Sequence, residues 1–313
     1  MNSFTKRISK KVEDYIALRR SLDYVFLTQS RTLRAFCRYI EKTNQPGPLT
    51  DTLALAFVHS RDVTPLVRAR RYGVLRHFAE YLSAFDHETK LFSPHAFPCC
   101  RSIAAVRILN EIELVNLLRT AKQISPLFPM RGNTLYTLLG LIASTGIRSG
   151  EALRLDCSDV DLERGLLQIR QTKFRKDRVV PMHDTTCEVL ASYAAERDYV
   201  FPQPLSPAFF LSLRGGRLST SSFYRVFHEV LATAGFDAIA TRPLRPHHLR
   251  HRFAVTRLLL WRREGIDVQA RLPLLATYLG HVHYSDTAYY ITATADLLAE
   301  AAHHAFVGKG EMS

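Results

Sequence analysis

Between Val12 and Ile40, apolar side chains recur at mixed steps of three and four residues: Tyr15, Ile16, Leu18, Leu22, Tyr24, Val25, Leu33, Phe36 and Ile40. That period predicts two helices, and the stretch NQPGP from Asn44 to Pro48 punctuates them. A third helix is expected from about Pro65 to Phe85, where Leu66, Tyr72, Leu75, Phe78, Ala79 and Leu82 recur. The period then fades. KLFSPHAFPCCRSIAAVR, from Lys90 to Arg107, has two prolines and no polar–apolar pattern, and it reads as a linker. Beyond it, Asn110 stands before EIELVNLLR as an N-cap ahead of a helix with early acids. GLLQIRQT (Gly165 to Thr172) and DRVVPM (Asp177 to Met182) read as two strands around the short turn FRK. In STSSFYRVFHEVLATAG, Phe223, Val226, Phe227, Val230 and Leu231 form one helical stripe that Gly235 ends. The pattern predicts a mainly α chain with a small β-sheet, without internal repeats. It divides into an N-terminal helical domain over 1–90, a linker over 91–108 and a second domain over 109–313.

The 313 residues are 47% apolar, enough for a sizeable core. No run of eighteen apolar residues supports a membrane span. The start, MNSFTKRISKKVEDYIALRR, lacks the apolar core of a secretory signal, so a soluble cytoplasmic protein is expected. Five cysteines, Cys37, Cys99, Cys100, Cys157 and Cys187, show no CxxC spacing and read as buried or incidental thiols.

Charge changes the picture more. Lys and Arg number 42 against 29 Asp and Glu, a net charge of +13 that points to a polyanionic partner. The first 105 residues hold 17 basic and 9 acidic residues, a surplus of +8, and the longer remainder carries only +5. Arg68, Arg70, Arg71 and Arg76 interleave the apolar positions of the third helix. Such arginines serve either as a solvated face or as a grip on phosphates.

Three clusters carry candidate chemistry. In TGIRSGEALRL (Thr145 to Leu155), Arg148 and Glu151 are three apart and are expected to share a helix face. In HHLRHRFA (His247 to Ala254), His247, Arg250 and His251 fall on one side of a helix. The histidine pair has metal-ligand spacing, but nothing nearby completes a zinc set. The other reading is an anion site, with Arg250 on phosphate oxygens and His247 donating beside it. In YLGHVHYSDTAYYI (Tyr278 to Ile291), Gly280 permits a sharp turn and His281 follows. Ser285 or Asp286 can then cap a helix bearing Tyr289 and Tyr290.

Taken together these clusters resemble the tyrosine recombinases, the phage-integrase-type family, over about Leu109 to Phe306. The family's first arginine motif resembles TGIRSGEAL, which places that arginine on Arg148 and its supporting acid on Glu151. The hairpin lysine is similar to Lys173 in QTKFRKDRVVPM. The H-x-L-R-H box reads His247 to His251, the L-G-H box ends on His281, and the nucleophile nine residues later is Tyr290. Neighbouring helical side chains point about 100° apart, so only one of Tyr289 and Tyr290 can face the arginines. Lys176 shares the turn with Lys173 and is expected on the DNA backbone or in solvent. KFRKDRVVP and TYLGHVHYSDTAYYI look most like recombinases of bacterial transposable elements.

The resemblance implies a metal-independent and cofactor-free enzyme that cuts and rejoins DNA through a 3′-phosphotyrosine link. It further implies a tetramer on two duplexes, made of this chain or of related recombinases, associated with the nucleoid. Residues 1–90 take the place of the core-binding domain, with Arg68, Arg70, Arg71, Arg76 and Lys176 as DNA contacts. The stretch ADLLAEAAHHAF, from Ala295 to Phe306, is expected to form a tail helix that docks on a neighbour. The alternative is a catalytically silent DNA-binding protein of architectural or regulatory role on the same fold.

Overall fold

The computed structural model describes residues 3–22, 24–97, 107–170, 177–236, 243–281, 287 and 290. The chain forms two compact units, Met1–Ile103 and Ala104–Ser313.

The first unit is helical. It contains α1 (Ser3–Ser21), α2 (Leu27–Lys42), α3 (Asp51–His59) and α4 (Pro65–Ser83). Ile8, Val12 and Ile16 of α1 bury against Leu33, Phe36 and Ile40 of α2 and against Leu75, Phe78 and Leu82 of α4. The apolar period seen in the sequence is thus the interface of a small bundle. The pattern did not predict α3. Thr50 caps it by accepting from Leu53 N at 3.2 Å, and it buries Leu53, Ala54, Phe57 and Val58. Six apolar residues in a row, Leu53 to Val58, hide that buried face in the sequence. Phe92 also packs into this core, so the first packed unit takes in residues beyond position 90.

The second unit opens with α5 (Glu111–Gln123). Asn110 Oδ1 accepts from Glu113 N at 2.8 Å, and Glu113 accepts from Asn110 N at 2.9 Å. This reciprocal pair satisfies two donors that the helix start leaves open. The next helix, α6 (Pro129–Thr145), is the centre of the unit, burying Leu135, Leu138, Leu139, Leu141 and Ile142. A side chain layer on nearly every face means neighbours on every face, and α6 packs against α5, against α8 (Asp184–Val200) and against α10 (His247–Arg263).

Between them lie the short α7 (Ser149–Ala152) and an antiparallel sheet of β1 (Val160–Asp161), β2 (Leu166–Ile169) and β3 (Arg178–Pro181), in the order β1-β2-β3. Leu167 pairs with Val180 and Ile169 with Arg178. Leu167, Ile169 and Val180 face the core while Gln168 and Val179 face outward, as a period of two requires. On α9 (Thr220–Thr233), Phe223, Val226, Phe227, Val230 and Leu231 are all buried. The last described helix is α11 (Val268–Leu279). It packs on α10 through a separate cluster of Ala254, Val255, Leu258, Leu272, Leu275 and Leu279. The expected class, mainly helical with one small sheet, is the class observed. No described helix is long and apolar enough to cross a membrane.

Candidate active site

The site begins where α6 stops. Gly146 ends the helix in the left-handed region at φ 65°, its N–H donating to Ile142 O at 2.9 Å. A Cβ there would fall 2.4 Å from the Phe253 ring of α10, so only glycine allows both the turn and the helix packing. Two residues on, Arg148 has extended φ and ψ of −73° and 145° and stands just before α7. This corrects the expectation that Arg148 and Glu151 share a helix face. Glu151 instead reaches back to the start of its own helix, accepting from Arg148 N at 2.9 Å and from Arg148 Nη1 at 2.8 Å.

Glu151 also holds a second arginine. Arg178 of β3 donates from Nη1 and Nη2 to the two Glu151 oxygens at 3.1 and 2.8 Å. The carboxylate is 4% exposed. Burial pushes its pKa up, but the Arg178 hydrogen bond and charge, joined by Arg148, bring it down to about 2. It is therefore ionised at any working pH.

The carbonyls at the end of α11 place the guanidinium groups. Arg250 of α10 is fully buried and donates to Gly146 O at 2.8 Å and Leu279 O at 2.7 Å. Arg148 Nη2 donates to Gly280 O at 2.9 Å, and Arg178 Nε to Tyr278 O at 2.9 Å. Helix C-termini leave carbonyls unpaired and carry partial negative charge. Three arginines thus converge on one helix end without a carboxylate for each. Arg250 forms no ion pair among the described residues, and its buried Nε–H finds no acceptor among them. Burial and the nearby Arg148 charge lower its pKa to about 10, so it stays charged. A cationic pocket with spare donors is suited to an anion.

The histidines and Tyr290 lie beside it. His281 follows Gly280 and places Nδ1 2.7 Å from Thr287 Oγ1. Its ring stacks at 20° on that of Tyr290, with centroids 6.2 Å apart. Tyr290 is 2% exposed and packs in the α10–α11 cluster. Its Oη lies 2.9 Å from His251 Nδ1. The His247 and His251 rings meet edge to face at 4.4 Å. His247 keeps an edge open to solvent, yet loss of water around the rest of its ring, with Arg250 and Arg148 nearby, lowers its pKa to about 4. Burial holds His251 and His281 down to about 3, joined by the neighbouring histidines and Arg250 at His251 and by Arg250 and Arg148 at His281. All three rings are neutral at pH 7.

Arg148, Glu151, His247, Arg250, His281 and Tyr290 therefore gather in one place. Lys173, Lys176, Tyr289, Ser285, Asp286, Cys99, Cys100 and the stretch 295–306 lie outside the described residues. Arg68, Arg70, Arg71 and Arg76 all sit on α4 of the first unit. Arg76 pairs with Glu80 at 2.7 Å and Arg68 with Asp62 at 3.5 Å, while Arg70 is exposed. No group of three His, Cys, Asp or Glu side chains that could hold a metal occurs among the described residues. Sequence reasoning missed Arg178 and gave His251 no part in the anion site. The first had no signal but a basic residue beginning a strand; the second had its spacing on the His247 and Arg250 face.

The model of the phage integrase family matches residues 107–296. The Sinorhizobium fredii protein y4rE, whose name assigns it to the integrases/recombinases, is 53% identical over 99% of both chains. A second such protein from Sinorhizobium fredii, y4rB, is 35% identical over 93% of this chain and 94% of its own. Among solved structures, the XerH site-specific recombinase bound to its palindromic difH substrate superposes with a TM-score of 0.66 at 21% identity, covering 88% of this chain and 78% of that one. The Tn1549 transposon integrase in complex with transposon right-end DNA gives 0.66 at 14% identity, over 93% and 98%. The chain belongs to the phage integrase family, the tyrosine recombinases, whose members carry out site-specific recombination by cutting and rejoining DNA.

Proposed function

We propose that this chain cuts and rejoins DNA strands through a covalent 3′-phosphotyrosine link on Tyr290. The observation that carries the reading is the clustering of the Tyr290 phenol, two histidines and the Arg148–Arg250 pair around one helix end. A phosphodiester resists attack because its non-bridging oxygens share a negative charge. Arg148 and Arg250 answer this, since each guanidinium presents paired donors and stays charged. They bind those oxygens and stabilise the charge that grows in the pentacovalent transition state. Tyr290 attacks phosphorus and the 5′-oxygen departs, so the bond energy is kept for rejoining. Lys173, in the connection between β2 and β3, protonates the leaving oxygen. His247 and His281 donate to the phosphate, and Glu151 holds Arg148 in place. The charge of the two guanidiniums fills the role that a metal ion plays in other phosphoryl-transfer sites, so cleavage is expected to persist in excess EDTA.

Arg68, Arg70, Arg71, Arg76 and Lys176 grip the duplex backbone, residues 1–90 serving as the DNA-binding domain and 109–313 as the catalytic domain. Exchange between two duplexes needs four active sites, which favours a tetramer of this chain or of it with related recombinases. The resemblance of KFRKDRVVP and TYLGHVHYSDTAYYI to transposable-element recombinases supports a role in moving such an element within the bacterial nucleoid.

A suicide duplex carrying a nick beside the cleavage point tests the reading, because the severed fragment diffuses away and traps the covalent adduct. The parent protein should form the adduct on its own element's ends, and Tyr290→Phe should form none. An equal yield from Tyr290→Phe would discard Tyr290 as the nucleophile. A parent that binds those ends and never forms the adduct would favour the architectural role.

A further inference from the structure

A tyrosine that attacks phosphorus must give up a proton that free tyrosine in water holds until about pH 10. The family resemblance would let His247 accept that proton, but the group the structure brings to the phenol itself is His251. His251 Nδ1 lies 2.9 Å from Tyr290 Oη, with the rings 5.4 Å apart and inclined at 60°. A neutral imidazole has one donor nitrogen and one acceptor nitrogen. An un-ionised phenol has a proton to give, so the geometry admits Tyr290 as donor and His251 Nδ1 as acceptor. His247 meets His251 edge to face at 4.4 Å and is left to donate to the phosphate.

We propose that His251 is a catalytic residue that takes the phenolic proton of Tyr290 as its oxygen attacks phosphorus. This rests on Tyr290 being the nucleophile. In the forward step the Tyr290 O–H bond breaks, the Oη–phosphorus bond forms, and the proton moves to His251 Nδ1 to give an imidazolium. The bond from phosphorus to the 5′-oxygen breaks, and that oxygen takes its proton from Lys173. Rejoining reverses both transfers, so no further reactant is consumed.

The surroundings make this base dependent on substrate. In the free protein, burial and the groups facing His251 disfavour a proton on it. Those groups are His247, His248 and Arg250 of α10 and His281 after α11, with Arg148 and Glu151 next to them. A phosphodiester seated between Arg148 and Arg250 adds a negative charge and offsets that repulsion. The imidazole then becomes more basic just when the phenol is aligned, and the free enzyme keeps its nucleophile protonated.

The test is single-turnover cleavage of the nicked duplex at saturating protein, across pH, with His251→Ala and His251→Asn. Asparagine places an amide oxygen near the Nδ1 position and accepts a hydrogen bond, but it takes no proton. Both variants should bind DNA as the parent does and cleave about 100-fold more slowly at pH 7. Their rates should then climb with pH as hydroxide replaces the lost base. If His251→Asn cleaves at the parental rate with the parental pH profile, His251 only positions the phenol and the proposal fails. Should His251→Ala fail to fold, His251→Asn decides alone. Tyr290→Phe run in parallel separates the two claims: adduct formation by Tyr290→Phe removes the nucleophile itself, whereas an inert Tyr290→Phe beside a fully active His251→Asn removes only the base.

Discussion

Glu151 and Arg178 meet fork to fork, the two guanidinium Nη atoms donating to the two carboxylate oxygens at 3.1 and 2.8 Å. The same carboxylate orients Arg148, and Arg178 Nε holds the end of α11 through Tyr278 O. One buried acid thus fixes β3, the turn before α7 and the helix end that bears the site. Glu151→Gln leaves two guanidiniums facing an uncharged amide. The expected loss is about 3–5 kcal/mol of stability, read by urea unfolding. Arg178→Lys keeps the charge and loses the fork, so it cannot serve Glu151 and Tyr278 O together. Cleavage should fall about tenfold or more, since a hydrogen bond to a charged group contributes about 1.5–3 kcal/mol, while DNA affinity changes little.

Arg250 is expected to be less forgiving. Its two Nη groups tie the end of α6 to the end of α11 through Gly146 O and Leu279 O. A lysine there reaches at most one of these carbonyls while presenting anything to a phosphate. Arg250→Lys should lower single-turnover cleavage about 10²–10³-fold, the usual effect of removing one donor to developing charge. A variant that cleaved at the parental rate would exclude Arg250 from the transition state.

Acid should destabilise the second unit in two overlapping windows. His247, His251 and His281 have folded pKa values of about 4, 3 and 3, below the ordinary histidine value near 6.5. Between those limits the unfolded chain binds more protons than the folded one, so stability is full above about pH 6.5 and falls as the pH drops toward 3. Glu151 adds a second loss. Its folded pKa of about 2 lies below the ordinary 4.5, so its stabilisation is present above 4.5 and disappears as the pH falls toward 2. Urea midpoints measured from pH 7.5 to 4 should hold steady down to about pH 6.5 and decline below it. The decline should be shallower in His281→Asn, which removes one of the groups that takes up a proton on unfolding.

The sequence pattern revealed what depends on neighbours along the chain. The stripe of Phe223, Val226, Phe227, Val230 and Leu231, the cap of Asn110 on Glu113, and the alternation in β2 and β3 are all local. The arginine, histidine and tyrosine motifs were legible because their order is specific, although distance along the chain hid how they meet. Arg178 finds Glu151 across 27 positions and Tyr278 across 100, and His251 finds Tyr290 across 39. No helical or strand period encodes such contacts. The spacing of Arg148 and Glu151 fitted a helix face, but the glycine turn before them makes Arg148 an extended residue whose N–H the glutamate caps. The apolar positions of α3 failed as a signal for the opposite reason, being too many for one stripe.

Binding should be governed by salt and unevenly shared among the α4 arginines. Each phosphate contact releases condensed counterions, so affinity falls with salt in proportion to the number of contacts. Arg76 already has Glu80 as a partner, whereas Arg70 is exposed. Arg70→Gln should therefore reduce the slope of log affinity against log salt by about one, and Arg76→Gln by less. Equal slopes for the parent and both variants, measured by fluorescence anisotropy on duplex DNA, would remove Arg70 and Arg76 from the DNA contact.

Gly280→Ala is expected to strike the site without touching any reacting group. Gly280 closes α11 at φ 67°, where an added Cβ costs about 1 kcal/mol in backbone strain alone. That Cβ would also lie 2.9 Å from Arg178 Nη1 and 3.0 Å from its central carbon. The Arg178 guanidinium has little room to move, since it is held by Glu151 and by Tyr278 O. Either the helix end shifts, moving the carbonyls that seat Arg148 and Arg250, or Arg178 withdraws from Glu151. Both routes loosen the arginine pair. The variant should lose more stability than backbone strain accounts for and should cleave slowly at unchanged DNA affinity. Removing the long side chain in the double variant Gly280→Ala, Arg178→Ala should cost less than the two single changes added together, because the clash is then gone. Strict additivity in urea unfolding would show that Gly280 serves the turn alone.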